Sequence, residues 1–153
     1  MQLTDALTTL IKVEEHMAVY YHWAASCFSN DPDAKACFED LAAQERGHAN
    51  QLGLLSRMAR SGKIEADVPV ERSDLEALVR KVETFRRQNR RPLLPHVVLF
   101  ALRLESGDLE HAYQSLVTSS VPELARLARA MIRADEAHAE KLKDLMEKKR
   151  AAS

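Results

Sequence analysis

Apolar residues along this chain recur at alternating spacings of three and four, the pattern of helices that each bury one stripe. The first such segment covers residues 4–29, with the stripe Leu7, Leu10, Glu14, Met17, Tyr21, Ala24 and Phe28. A turn at Asn30-Asp31-Pro32-Asp33 follows, with proline placed to open the next helix. The second stripe is Ala34, Phe38, Leu41, Glu45, His48, Leu52 and Leu55. A third long helix starts near Pro92 or Pro95 and carries Val98, Ala101, Glu105, Asp108, Ala112 and Leu116. The fourth follows Ser119-Ser120-Val121-Pro122-Glu123, where Ser119 or Ser120 suits the N-cap. Its stripe is Leu124, Ala128, Met131, Asp135, His138, Leu142 and Leu145.

Between the second and third long helices, Ser61-Gly62-Lys63 opens a loop. A shorter amphipathic helix carrying Leu75, Leu78, Val79, Val82 and Phe85 is expected after it, with Ser73 as N-cap and Glu76 completing a capping box. This stretch is long enough to be the crossover of a bundle whose second hairpin returns to the first. The expected fold is therefore all-α: an antiparallel four-helix bundle with a long crossover containing a short helix. One domain is expected over residues 1–150, with a frayed tail at residues 151–153. Only 4 Gly and 5 Pro in 153 residues agree with a helical chain.

A core normally excludes carboxylates, because an unpaired buried charge costs several kcal/mol or more. Yet the four stripes carry Glu14, Glu45, Glu105 and Asp135, together with His48 and His138. Two helices present an acid-x-x-His pair, Glu45-Arg46-Gly47-His48 and Asp135-Glu136-Ala137-His138. Residues at i and i+3 project from one helical face, so each pair can bind one cation. The six also agree in height. Glu14 lies 17 residues before Asp31, with Glu45 and His48 14 and 17 after it; Glu105 lies 16 before Val121, with Asp135 and His138 14 and 17 after it. At about 1.5 Å per residue, all six sit roughly 21–26 Å from their turns. A two-metal site is the leading reading. A carboxylate-rich set with two imidazoles suits iron or manganese, and zinc less well.

These ordered elements resemble the ferritin-like di-iron carboxylate superfamily, and within it the rubrerythrin-type branch without a rubredoxin domain. The likeness runs from Val13-Glu14-Glu15 with Tyr20-Tyr21, through Leu41 to Ala49, to Leu102-Arg103-Leu104-Glu105 with Tyr113, and to Ala134-Asp135-Glu136-Ala137-His138. It implies two iron ions, Fe(II) and Fe(III), or Mn or Zn in their place, held by Glu14, Glu45, His48, Glu105, Asp135 and His138. It also implies oxidation of Fe(II) by dioxygen or hydrogen peroxide, a homodimer, and an external electron donor if the role is peroxidase. The chain departs from the family at two positions. Asp135 stands where glutamate is usual; it either bridges at altered spacing, binds one metal only, or leaves one position weak. Asp108 stands one turn after Glu105, as an outer or switching ligand. Tyr21 and Tyr113 lie two turns from ligand glutamates, placed to bond them or to relay electrons; ordinary core packing is the alternative.

Other features narrow the classes. The net charge of −1 gives no field for nucleic acid or anionic membranes. The basic run Phe85-Arg86-Arg87-Gln88-Asn89-Arg90-Arg91 reads as a solvated face or a subunit contact. No apolar run nears the roughly 20 residues of a membrane span, and Met1-Gln2-Leu3-Thr4-Asp5 lacks the regions of a signal peptide. A cytoplasmic protein without membrane or nucleic-acid partners is expected. Cys27 and Cys37 flank the first turn and read as buried inert thiols rather than a redox pair. Two rival functions stay open: a metal-binding or iron-carrier module without turnover, and a metal-free bundle that acts through partner contacts.

Overall fold

The computed structural model describes residues Met1–Ser153 and is all-helical. Six α-helices follow in order: α1 (Leu3–Cys27), α2 (Pro32–Ser61), α3 (Arg72–Gln88), α4 (Leu94–Arg103), α5 (Leu109–Val117) and α6 (Pro122–Ala152). A π-helical turn, Leu104–Asp108, joins α4 to α5 without a loop. No helix is long and apolar enough to cross a membrane.

Local chemistry sets the long-helix boundaries. Asp31 is the N-cap of α2, its side chain accepting from the Ala34 N–H at 3.2 Å, with Pro32 at the first helical position. Before α6, the Ser119 hydroxyl accepts from the Val121 N–H at 3.2 Å and Pro122 opens the helix. The N-cap position itself is Val121, so neither Ser119 nor Ser120 occupies it.

α3 corrects a second capping expectation. It begins at Arg72 with Glu71 at the N-cap and no side-chain cap bond, so Ser73 sits inside the first turn. Tertiary anchoring overrides the local signal here. The preceding segment buries Val68 and Val70, and Val68 N–H bonds the Met1 carbonyl at 2.9 Å. Leu3 N–H bonds the Ala66 carbonyl at 2.8 Å in the same clasp.

The expected frayed tail is also helical, to Ala152. Lys149 reaches Asp31 at 2.5 Å and Lys148 reaches Asp33 at 2.9 Å, tying the end of α6 to the start of α2. Cations at a helix C-terminus and acids at an N-terminus both suit the helix dipoles.

α1 packs along α2, α5 along α6, and α3 lies against α1; α2 and α6 close the arrangement between the pairs. One continuous cluster of 37 buried residues draws on every helix, so a single core supports all of them. Phe38 is fully buried in it, stacked on Tyr21 at 6.2 Å and tilted against Phe28 at 6.1 Å. Phe38→Ala is expected to cost about 3–5 kcal/mol, read as a lower denaturant midpoint with an unchanged slope. A loss under about 1 kcal/mol would mean that the surroundings collapse into the gap.

Candidate metal centre

Glu14 comes from α1, Glu45 and His48 from α2, Glu105 from the π-helical turn, and Asp135 and His138 from α6. Five of the six are fully buried, and His48 is 9% exposed. All four predicted segments therefore meet in one place.

Glu45 is at the middle. Its Oε2 lies 3.0 Å from His48 Nδ1, and its Oε1 lies 3.1 Å from His138 Nδ1. Glu14 Oε2 approaches His48 Nδ1 at 3.7 Å, and Glu105 Oε1 approaches His138 Nδ1 at 3.3 Å. The two imidazoles stack, with ring centres 5.5 Å apart and planes 17° from parallel. Two groups of three result: Glu14, Glu45 and His48, and Glu45, Glu105 and His138. Within each, one donor atom from every residue lies within 4.8 Å of the others. Glu45 belongs to both. Asp135 is equally buried but joins neither group.

The tyrosines cross-link this arrangement. Tyr21 of α1 donates to Glu105 Oε1 at 2.5 Å, and Tyr113 of α5 donates a short bond to Glu14 Oε1. Burial, then the neighbouring carboxylate charges, push both phenols well above their usual range, so they act as donors.

Five buried carboxylate oxygens nevertheless lack a hydrogen-bond partner: Glu14 Oε2, Glu45 Oε1, Glu105 Oε2, and Oδ1 and Oδ2 of Asp135. Native cores seldom leave such atoms orphaned. Burial raises the Glu45 carboxyl well above the carboxylate range, and the charges of Glu14 and Glu105 add to it. Asp135 is pushed up to about 11, first by burial and then by Glu105 and Glu14. Burial acts on Glu14 too, but the His48 and Glu45 groups that face it, with the Tyr113 hydrogen bond, outweigh it, and its carboxyl is held low. A space this rich in oxygen donors takes up protons or cations. The orphaned oxygens and the two inward imidazole nitrogens fit a metal pair by donor type.

Asp108 is a correction. Its carboxylate is exposed and pairs with Lys81 of α3 at 2.6 Å. The cause is the π-helical turn, in which the Leu109 N–H bonds the Leu104 carbonyl five residues back. The wider turn inserts a residue, so the stripe passes from Glu105 to Leu109 and Asp108 swings outward. Ser106-Gly107 in mid-helix was the available signal, since Gly weakens an α-helical interior.

Gln44 was missed altogether. Its Oε1 lies 2.8 Å from His138 Nε2, and its Nε2 donates to Asp40 Oδ2 at 3.0 Å. The i, i+4 spacing of Asp40 and Gln44 was the hint in the sequence.

No protein-family model, curated protein or solved structure matches this chain.

Asp135 sets a pH dependence for the metal-free protein. An acid whose folded value lies above its unfolded one keeps, when folded, a proton that it releases on unfolding. Stability then falls as pH rises from the ordinary value of 3.8 towards about 11. Chelator-treated protein is expected to melt at lower temperature at pH 8 than at pH 5.5. Asp135→Asn should flatten that slope by up to about 1.4 kcal/mol per pH unit. An unchanged slope in the variant would show that Asp135 is not the titrating group.

Proposed function

We propose that this chain is a ferritin-like antiparallel four-helix bundle whose core holds two metal ions and oxidises Fe(II) with dioxygen or hydrogen peroxide. The observation that carries the reading is Glu45, which serves both donor groups and offers one oxygen to each side. In this arrangement α1 and α2 form one hairpin, α4 to α6 form the other, and the α3 segment is the crossover. Ferritin-like di-metal bundles place a single glutamate on each of two helices and a Glu-x-x-His pair on each of the other two. Glu14, Glu105 and Glu45-x-x-His48 follow that scheme, and Asp135-x-x-His138 follows it with the shorter acid.

Iron or manganese suits the mixed oxygen and nitrogen donors. When bound, such a pair acts as a Lewis acid and a source of electrons for an O–O bond. The chain's own contribution is positional. Glu45 spaces the two positions, Glu14 with His48 and Glu105 with His138 complete them, and Tyr21 and Tyr113 orient the outer glutamates. The surrounding core excludes bulk water, and His48 keeps the one solvent-touched edge among the six. Ferroxidase turnover takes its electrons from Fe(II) itself; peroxide reduction needs an external donor. Binding without turnover is the second reading, favoured by one observation: Asp135 stands outside both groups.

Anaerobic Fe(II) titration followed by an oxygen or peroxide pulse tests the proposal. Saturation near two irons per chain and a near-ultraviolet rise on oxidation are expected. Glu45→Ala should abolish both binding steps, and Asp135→Glu should raise occupancy of the weaker one. Saturation without an oxygen-dependent change would leave the carrier reading, and no uptake would sink the metal centre.

A further inference from the structure

His138 and His48 play matched parts in the two donor groups, but their outer nitrogens do not have matched surroundings. His48 is bonded within the chain through Nδ1. His138 is held on both sides, with Nδ1 facing Glu45 and Glu105 and Nε2 facing Gln44 Oε1 at 2.8 Å. Gln44 is held in turn. Its Nε2 donates to Asp40 Oδ2 at 3.0 Å, and the same Asp40 oxygen pairs with Lys141 of α6. The chain Lys141–Asp40–Gln44–His138 therefore leaves α6, crosses to α2 and returns to α6. It runs from half-exposed ends at Asp40 and Lys141 to a fully buried ring.

Donor and acceptor chemistry gives this chain a direction. An ionised carboxylate only accepts, so the Gln44 amide must turn its NH2 towards Asp40. The carbonyl oxygen of Gln44 then faces His138, and it too only accepts. His138 must carry its hydrogen on Nε2 to satisfy it. A hydrogen fixed on Nε2 leaves Nδ1, which faces Glu45 and Glu105, as the nitrogen whose lone pair is open to a cation held between those carboxylates. Hydrogen bonds to the far nitrogen of a ligand imidazole commonly fix its tautomer and ring angle, and losing them costs about 10–100-fold in metal affinity.

We propose that Gln44 is a positioning residue: anchored by Asp40 and Lys141, it locks His138 with Nε2–H outward and Nδ1 inward. The metal position of Glu45, Glu105 and His138 is thereby pre-set, while that of Glu14, Glu45 and His48 is not. The two positions fill in order, the strapped one first. The affinity part of this inference rests on the metal-centre reading; the orientation part concerns the metal-free chain and does not.

Two measurements separate them. In metal-free protein, nitrogen-resolved NMR should find a His138 Nε2–H that exchanges slowly and contacts Gln44. Gln44→Leu, close in size but without an acceptor, should speed that exchange at least about tenfold or erase the signal. Asp40→Ala, at the exposed end, should do so in part by freeing the amide to rotate, with little risk to the fold. A hydrogen on Nδ1 alone, or an Nε2–H indifferent to both variants, would overturn the strap. Co(II) titration is the second measurement. Two unequal steps are expected, with Gln44→Leu weakening the tighter by about 10–100-fold and His48→Ala removing the looser. Two unchanged steps in Gln44→Leu would overturn the inference while leaving the centre standing. Failure of the unaltered chain to take up Co(II) would overturn the filling order together with the metal-centre reading, and the NMR result would still decide the strap.

Discussion

Glu45 stands between two imidazoles, 3.0 Å from one and 3.1 Å from the other, in a core that also holds Glu14, Glu105 and Asp135. Four carboxylates out of water repel one another, and no apolar packing offsets that directly. The surrounding helices are arranged around this constraint. Two imidazoles and two phenols approach the carboxylates, one pair from each side. They still leave five oxygens without partners. All the buried side-chain oxygens left without a partner belong to this one centre, which concentrates its demand for protons or cations there.

The π-helical turn shows how the backbone serves the centre. Glu105 sits inside it, fully buried, while the added residue turns Asp108 out to Lys81. Had α-helical phase continued, Asp108 would share the face of Glu105 three residues before it. A fifth carboxylate would then enter the same space. The turn keeps Glu105 and replaces the next inward position with Leu109, which is 1% exposed. Single π-helical turns inside α-helices are rare overall and frequent at functional sites. Here the change of phase limits the negative charge in the core.

Much of this was legible in the residues. Stripes at three-four spacing marked the long helices, Asp31-Pro32 marked the start of α2, and phase with height brought six polar residues together. What stayed hidden had physical causes. Ser73 looked like a cap, but the clasp of Met1 and Leu3 on residues 66–68 decides where α3 begins. The tail at residues 151–153 looked like a fraying end, but Lys148 and Lys149 just before it pair with Asp31 and Asp33 from a distant part of the chain, and α6 runs on to Ala152. Asp108 was misplaced because one inserted residue in a helix shifts every later side chain. Gln44 was overlooked because its spacing from Asp40 marks only a helix-surface pair; its contact with His138 exists only where α2 meets α6.

The two halves of the centre match in role but not in reach. Glu45 is long enough to serve both imidazoles, whereas Asp135, its counterpart in the second acid-x-x-His pair, is one methylene shorter and bonds nothing. Its two free oxygens make it the carboxylate with most to gain from a cation, and its short arm requires the cation to come close to α6. The strapped His138 lies on the same helix, three residues on. Orientation is thus supplied on α6 by Gln44 from α2, while reach is supplied on α2 by Glu45. A ligand that binds only the folded form stabilises it in proportion to the logarithm of its concentration over its Kd. On the proposed metal centre, folding would couple to metal through α6 first, because that helix carries both His138, bonded to Gln44, and Asp135, whose two oxygens have no partner.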